Sequence, residues 1–116
     1  MRAHEKLEAW KLSMQLVREI YELTKQFPKE ELFCLTQQMR RAAISIPSNI
    51  AEGSGRSSTK EYAHFISIAR GSLSEVETQM QIAQMLNYTN DTQNITATAS
   101  HVGRLLTGLH KKWRTP

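Results

Sequence analysis

Four histidines, one cysteine, a serine–lysine spacing and a glycine-rich turn are the groups in this chain that could do chemistry. His4, His64, His101 and His110 could offer nitrogen to a metal, but the paired Glu-x-x-His signature of di-iron bundles is missing. No metal site is expected. Cys34, between Phe33 and Leu35, reads as a small packing residue on a helix rather than a reactive thiol. Ser57-Ser58-Thr59-Lys60 has the spacing of a serine nucleophile and its lysine base. The same residues are already accounted for as a helix cap. Gly53-Ser54-Gly55-Arg56-Ser57 is a glycine-rich stretch before a helix, and such a start can hold a phosphate. It lacks both the Walker pattern and a preceding strand, so a helix end plus linker is the simpler account. No catalytic residue and no cofactor follow, and the chain reads as a non-enzyme.

A denser polar group surrounds Pro47. Ser45, Ser48, Asn49 and Glu52 crowd the turns on either side of it and run up to Gly53. Proline has no N–H and its ring crowds the carbonyl four residues back, here Ala43. One account has the polar side chains, or a water, satisfying the freed backbone groups. The other makes Asn49 and Glu52 a small polar site. With no second acid, base or metal partner in view, the structural account is preferred.

The remaining chemistry is cationic. Arg40, Arg41, Arg56, Lys60, Arg70, Arg104, Lys111, Lys112 and Arg114 carry the positive charge of the chain beyond its first quarter. Residues 1–31 hold six basic and six acidic side chains, whereas residues 32–116 hold nine and five, so the whole excess of +4 lies in the later part. Most charged helix residues are simply solvated or form weak surface ion pairs. Against that, Arg40-Arg41 has no acidic residue within four positions, and Lys111-Lys112-Trp113-Arg114 is likewise uncompensated. Cations at a helix C-terminus also complement the macrodipole. Arg40, Arg41, Arg56, Lys60, Arg104, Lys111, Lys112 and Arg114 are therefore the candidate contacts to RNA or DNA, by charge and shape.

Helices must position these groups. Leu7, Trp10, Met14, Val17, Tyr21 and Thr24, widened by Leu16, Ile20, Leu23 and Phe27, predict a first helix over about 7–27, ended by Pro28. Leu32, Leu35, Met39, Ala42, Ala43, Ile46 and Ile50 predict a second over about 30–52. Its stripe continues through Pro47 at a cost of about 3 kcal/mol, so a kink is expected there, and Gly53 suits a left-handed C-cap. Ser58-Thr59-Lys60-Glu61 fits a capping box opening a third helix over about 58–87, whose Gly71 suggests a close helix approach. Ile95, Ala99, Val102, Leu106, Leu109 and Trp113 mark a fourth over about 92–113. The expected fold is all-α, a single antiparallel up-down-up-down four-helix bundle.

Size and composition agree. A chain of 116 residues, 40% hydrophobic and 22% charged, is one globular domain. No apolar run approaches the roughly 18 residues that span a bilayer, the N-terminus does not resemble a signal peptide, and one cysteine makes no internal disulfide. A cytoplasmic protein without membrane contact is expected. Asn87-Tyr88-Thr89 and Asn94-Ile95-Thr96 are then chance glycosylation patterns.

Leu7-Glu8-Ala9-Trp10-Lys11, Phe27-Pro28-Lys29-Glu30-Glu31-Leu32, the stretch from Gln37 to Gly53 and Ala69-Arg70-Gly71-Ser72-Leu73-Ser74-Glu75-Val76-Glu77-Thr78-Gln79 carry a resemblance. The chain resembles, over about residues 7–110, a bacterial family of four-helix-bundle proteins that includes proteins encoded in intervening sequences of large-subunit ribosomal RNA genes. The resemblance implies a small bundle assembling as a homo-oligomer, a pentameric ring, with no enzyme activity. A related branch comprises accessory proteins of diversity-generating retroelements, basic pentamers that bind a reverse transcriptase and nucleic acid. Two roles follow as expectations: an oligomeric bundle touching RNA or DNA, or an adaptor holding a partner protein with no nucleic-acid contact.

Overall fold

The computed structural model describes residues 2–114. After a short 3-10 turn at Ala3–Lys6 come four helices: α1 (Glu8–Thr24), α2 (Leu35–Ser54), α3 (Thr59–Met85) and α4 (Gln93–Trp113), with a second 3-10 turn at Lys29–Glu31. The fold is an all-α bundle measuring 46 × 23 × 22 Å.

Leu16, Ile20, Met39, Ile46, Ile50, Ile66, Val76, Val102 and Leu106 are fully buried and form the centre of the core. Burying one such side chain contributes about 1.5–3 kcal/mol, which is why the three-and-four spacing decides each helix's orientation. On α1 the core stripe is Leu16, Ile20 and Leu23, continued beyond its end by Phe27; Leu7, just before the helix, and Trp10 and Val17 pack along its flank, and Met14 is 45% exposed. The backbones of α1 and α2, α2 and α3, α3 and α4, and α4 and α1 are in contact, while the diagonal pairs do not approach.

Single pairs of residues give the register. Val17 and Ile44 line one groove, the hydroxyls of Ser45 and Ser72 lie 2.8 Å apart, and a Cβ on Gly103 would stand 3.3 Å from Leu73. Residues 2–16, 45–72 and 103–114 therefore occupy one half of the bundle, and 17–44 and 73–102 the other.

The ends of the helices refine the expectation. Pro28 pushes Phe27 out of the helical region, and the N–H groups of Gln26 and Phe27 close the last turn of α1 on Leu23 and Thr24. The second helix was expected from residue 30 but starts at Leu35. The Glu31 carboxylate accepts from the Leu35 N–H at 3.3 Å and from the Tyr88 hydroxyl at 2.7 Å, so one side chain both caps α2 and ties down the far loop. Leu32, Phe33 and Cys34 consequently lie in a turn, not on a buried helix face. Phe33 is 85% exposed and the Cys34 thiol is also exposed, which corrects its expected packing role.

At its other end α2 runs past Gly53 to Ser54, and no glycine has a positive φ, so Gly53 is not a left-handed cap. Its missing Cβ lets α3 approach: a Cβ there would stand 3.0 Å from Phe65 Cβ and 3.2 Å from Tyr62 Cδ1. Gly71, where a close approach was expected, faces open space. Asn87 takes the left-handed position (φ 62°) that closes α3, with the N–H of Tyr88 bonded to Ala83 and that of Asn87 to Gln84, a Schellman arrangement.

Candidate nucleic-acid interface

Adjacent arginines on α2 point about 100° apart around the helix axis, and the fold gives them different surroundings. Arg40 is half-buried against α1: its Nε donates to Thr24 Oγ1 at 2.8 Å, its Nη2 to the Tyr21 carbonyl at 3.4 Å, and its Cζ lies 4.4 Å from the Tyr21 ring centre. This guanidinium is engaged within the molecule. Arg41 is exposed and forms no ion pair among the described residues.

The other candidates gather where the start of α3 meets the end of α4. Tyr62 stacks on Trp113 at 5.2 Å and 13°, and burial pushes the Tyr62 phenol above its ordinary pKa. Arg56 pairs with Glu52 at 3.0 Å and Glu61 at 3.7 Å and covers the Phe65 ring at 4.8 Å. Lys112 lies 4.8 Å from its neighbour Trp113. Lys60, Lys111 and Arg114 are exposed without an ion pair among the described residues. Arg104 is farther along α4, bonded to Ser100 at 3.0 Å, and shares with Arg70 an open groove of about 660 Å³ between α3 and α4. Thus Arg56, Lys60, Lys111, Lys112 and Arg114 are brought together, Arg104 stands beside them, and Arg40 and Arg41 lie in the other half.

This division makes the molecule electrically polar. The half built from residues 2–16, 45–72 and 103–114 holds ten Lys and Arg against four Asp and Glu, while residues 17–44 and 73–102 hold five against seven. The cation excess is concentrated on one half and reversed on the other, although the whole chain carries only +4.

The polar group around Pro47 resolves into hydrogen bonds. Ser48 Oγ donates to the Ile44 carbonyl at 2.8 Å, and Asn49 Nδ2 donates to the Ser45 carbonyl at 2.8 Å and to Ser45 Oγ at 2.9 Å. These bonds fall on the carbonyls just after that of Ala43, which Pro47 deprives of its N–H donor. Glu52 faces Arg56, outside this network. Ser58 caps α3 by accepting the Glu61 N–H at 3.1 Å, and its hydroxyl donates back to the Glu61 carboxylate at 3.3 Å.

Glu61 and His64 form a single Glu-x-x-His, but Glu61 serves the cap and Arg56. No group of three His, Cys, Asp or Glu is placed to hold a metal among the described residues.

Gln79 and Glu75 on α3 lie outside the candidate set. They line, with Gln38, Arg41, Ser45 and Ser72, a cleft between α2 and α3. A signal existed: Ser72 and Gln79 stand four before and three after Val76, inside the apolar stripe. Apolar residues line another groove, between α1 and α2, where Trp10, Met14, Val17, Ile44 and Ala51 surround Pro47.

The fold and surface define a small all-α bundle with one cationic half. The chain belongs to the 23S rRNA-intervening sequence protein family, whose model matches residues 5–108. No curated protein matches it. No helix among the described residues is long and apolar enough to cross a membrane.

Proposed function

We propose that this chain is a non-catalytic, cytoplasmic nucleic-acid-binding bundle that works as a homo-oligomer and contacts RNA or DNA by charge and shape. The observation that carries it is the basic half, where Lys60, Lys111 and Arg114 are exposed without carboxylate partners among the described residues, beside the Tyr62–Trp113 stack. Free cations of this kind displace counterions from a phosphate backbone, whereas ion-paired ones have less to gain. A homopentamer, which the family resemblance implies, would multiply the field fivefold. The apolar groove at Pro47, with Met14 45% and Ile44 42% exposed, supports burial between copies.

The test is binding of labelled mixed-sequence RNA and DNA strands across a salt series. Replacing Lys60, Lys111 and Arg114 together by Ala should lower the salt slope by roughly two to three, since each phosphate contact contributes about 0.7–0.9. Absence of binding at low salt sinks the proposal. A second role has its own support: Phe33 (85% exposed) and Met85 (72%) leave apolar surface on the acidic half, suited to a partner protein. Under that adaptor role the same triple variant retains its partner and the wild type ignores oligonucleotides.

A further inference from the structure

We propose, building on the nucleic-acid role above, that the cleft between α2 and α3 receives a guanine base from a single strand. Gln38, Arg41 and Ser45 recur at three and four residues on α2, and Ser72, Glu75 and Gln79 do the same on α3, so each set shares one helical face. The two faces meet across an open cleft of about 320 Å³. Its floor is fixed: Ser45 and Ser72 are hydrogen-bonded at 2.8 Å, and Asn49 holds Ser45 at 2.9 Å.

The unmet demands in the cleft define its occupant. Arg41 and Glu75 both line it, and neither has an ion-pair partner among the described residues. Gln79 is only 9% exposed, yet its buried Oε1 has no hydrogen-bond partner. Buried polar groups are nearly always paired, so such an acceptor marks a site as incomplete. A half-turn about χ3 brings Oε1 to the cleft, where it can meet a donor, and carries the Nε2 amino group, which has no hydrogen-bond partner among the described residues, to the buried position. The α3 wall then offers acceptors, from Glu75 and Gln79, while the α2 wall offers the guanidinium of Arg41.

Among the bases, guanine alone presents two adjacent N–H donors, N1–H and the N2 amino group, in a geometry that suits one carboxylate. Its O6 and N7 are the acceptors that an arginine fork reads. Adenine and cytosine present a single amino group, and uracil or thymine a single ring N–H. In a duplex the N1–H and N2 edge is already paired, so the base must come from a single strand. From Arg41 to the end of α2 at Ser54 is about 20 Å along the helix axis, with Arg56 two residues beyond, which leads the strand from this cleft to the basic half.

The experiment measures binding of the full-length protein to uridine oligomers carrying one guanine, one inosine, one adenine or no substitution, at one low salt concentration. Guanine is expected to improve affinity roughly tenfold over adenine. Inosine, which lacks only the N2 amino group, loses a large part of that gain. Glu75→Gln and Arg41→Gln should each erase the guanine preference, read within each variant as the ratio of its affinities for the guanine and plain uridine oligomers. Equal binding of all four oligomers overturns the guanine site and leaves the electrostatic role standing. A guanine preference that survives both substitutions also overturns it, because the base is then read elsewhere. No binding by any oligomer at low salt overturns the nucleic-acid role itself. The inosine comparison uses unaltered protein, so it decides even where a variant fails to fold.

Discussion

Arg40→Met is expected to destabilise the bundle and to leave oligonucleotide binding unchanged. Methionine keeps the apolar stem that packs on α1 while removing the guanidinium. The 2.8 Å bond to Thr24 Oγ1 involves a charged donor, a type whose loss costs about 1.5–3 kcal/mol. The 3.4 Å contact to the Tyr21 carbonyl is long and shares an acceptor with the Lys25 N–H, so it adds little. Stacking over Tyr21 at 4.4 Å adds about 0.5–1 kcal/mol. Arg40 is only half-buried, which places the total near the low end, at about 2 kcal/mol. Thr24 keeps its own donor bond to Ile20 at 2.8 Å, so the substitution strands no buried hydroxyl proton. Urea unfolding at fixed protomer concentration reads the change, since assembly would otherwise shift the apparent stability. Arg41→Met, on the open face of the same helix, should stay within about 0.5 kcal/mol of the parent. An Arg40 variant as stable as the parent but deficient in binding would refute the assignment, because the arginine would then be meeting phosphate rather than Tyr21 and Thr24.

Gly53→Ala and Gly71→Ala should move stability in opposite directions in the same urea assay. A Cβ at Gly53 would stand 3.0 Å from Phe65 Cβ, and overpacking of about 1–3 kcal/mol outweighs the roughly 1 kcal/mol gain in helix propensity. At Gly71 nothing lies within 4 Å, and alanine should stabilise by up to about 1 kcal/mol. Gln79→Leu removes a buried acceptor without a donor and should be neutral or stabilising by about 1 kcal/mol; a large loss would show that the amide is bonded after all. Tyr88 donates to Glu31 at 2.7 Å, and that bond, then burial and the nearby Glu charges, raises its phenol above the ordinary 10.0. Its stabilisation is complete below pH 10 and is lost as pH rises through the folded-state value. Alkaline unfolding should therefore steepen more in the parent than in Tyr88→Phe. Tyr62, shifted the same way, remains in both proteins.

Periodicity made the four helices legible, because a stripe such as Ala69, Leu73, Val76, Met80 and Ala83 has one way to be buried. What it missed depended on partners distant in sequence. Glu31 delays α2 to Leu35 through bonds to that N–H and to Tyr88, a residue 57 positions away. Arg40 and Arg41 look equivalent as a dipeptide and separate only once α1 supplies Tyr21 and Thr24 on one side. Gly53 and Gly71 likewise differ through what faces them, Tyr62 and Phe65 in one case and open space in the other. Of the candidate cations, Lys111, Lys112 and Arg114 could be grouped by sequence alone; their meeting with Arg56 and Lys60 requires the Tyr62–Trp113 stack.

The polar neighbours of Pro47 connect these observations. A buried proline within α2 leaves the Ala43 carbonyl without its normal donor, a defect of about 3 kcal/mol in an isolated helix. Ser48 and Asn49 reinforce the next two carbonyls, and Asn49 also fixes the Ser45 hydroxyl that bonds Ser72 on α3. The Pro47 ring meanwhile lies in the apolar groove with Trp10 and Ile44. One turn of helix thus faces two neighbours with opposite chemistry, apolar toward α1 and hydrogen-bonded toward α3. A helix without the proline could carry both faces, so the proline is not needed for amphipathicity. Its consequence is positional: it fills the α1 side with a rigid apolar ring while Ser45 and Asn49 lock the α3 side. That lock forms the floor on which Arg41 and Glu75 confront each other across the cleft.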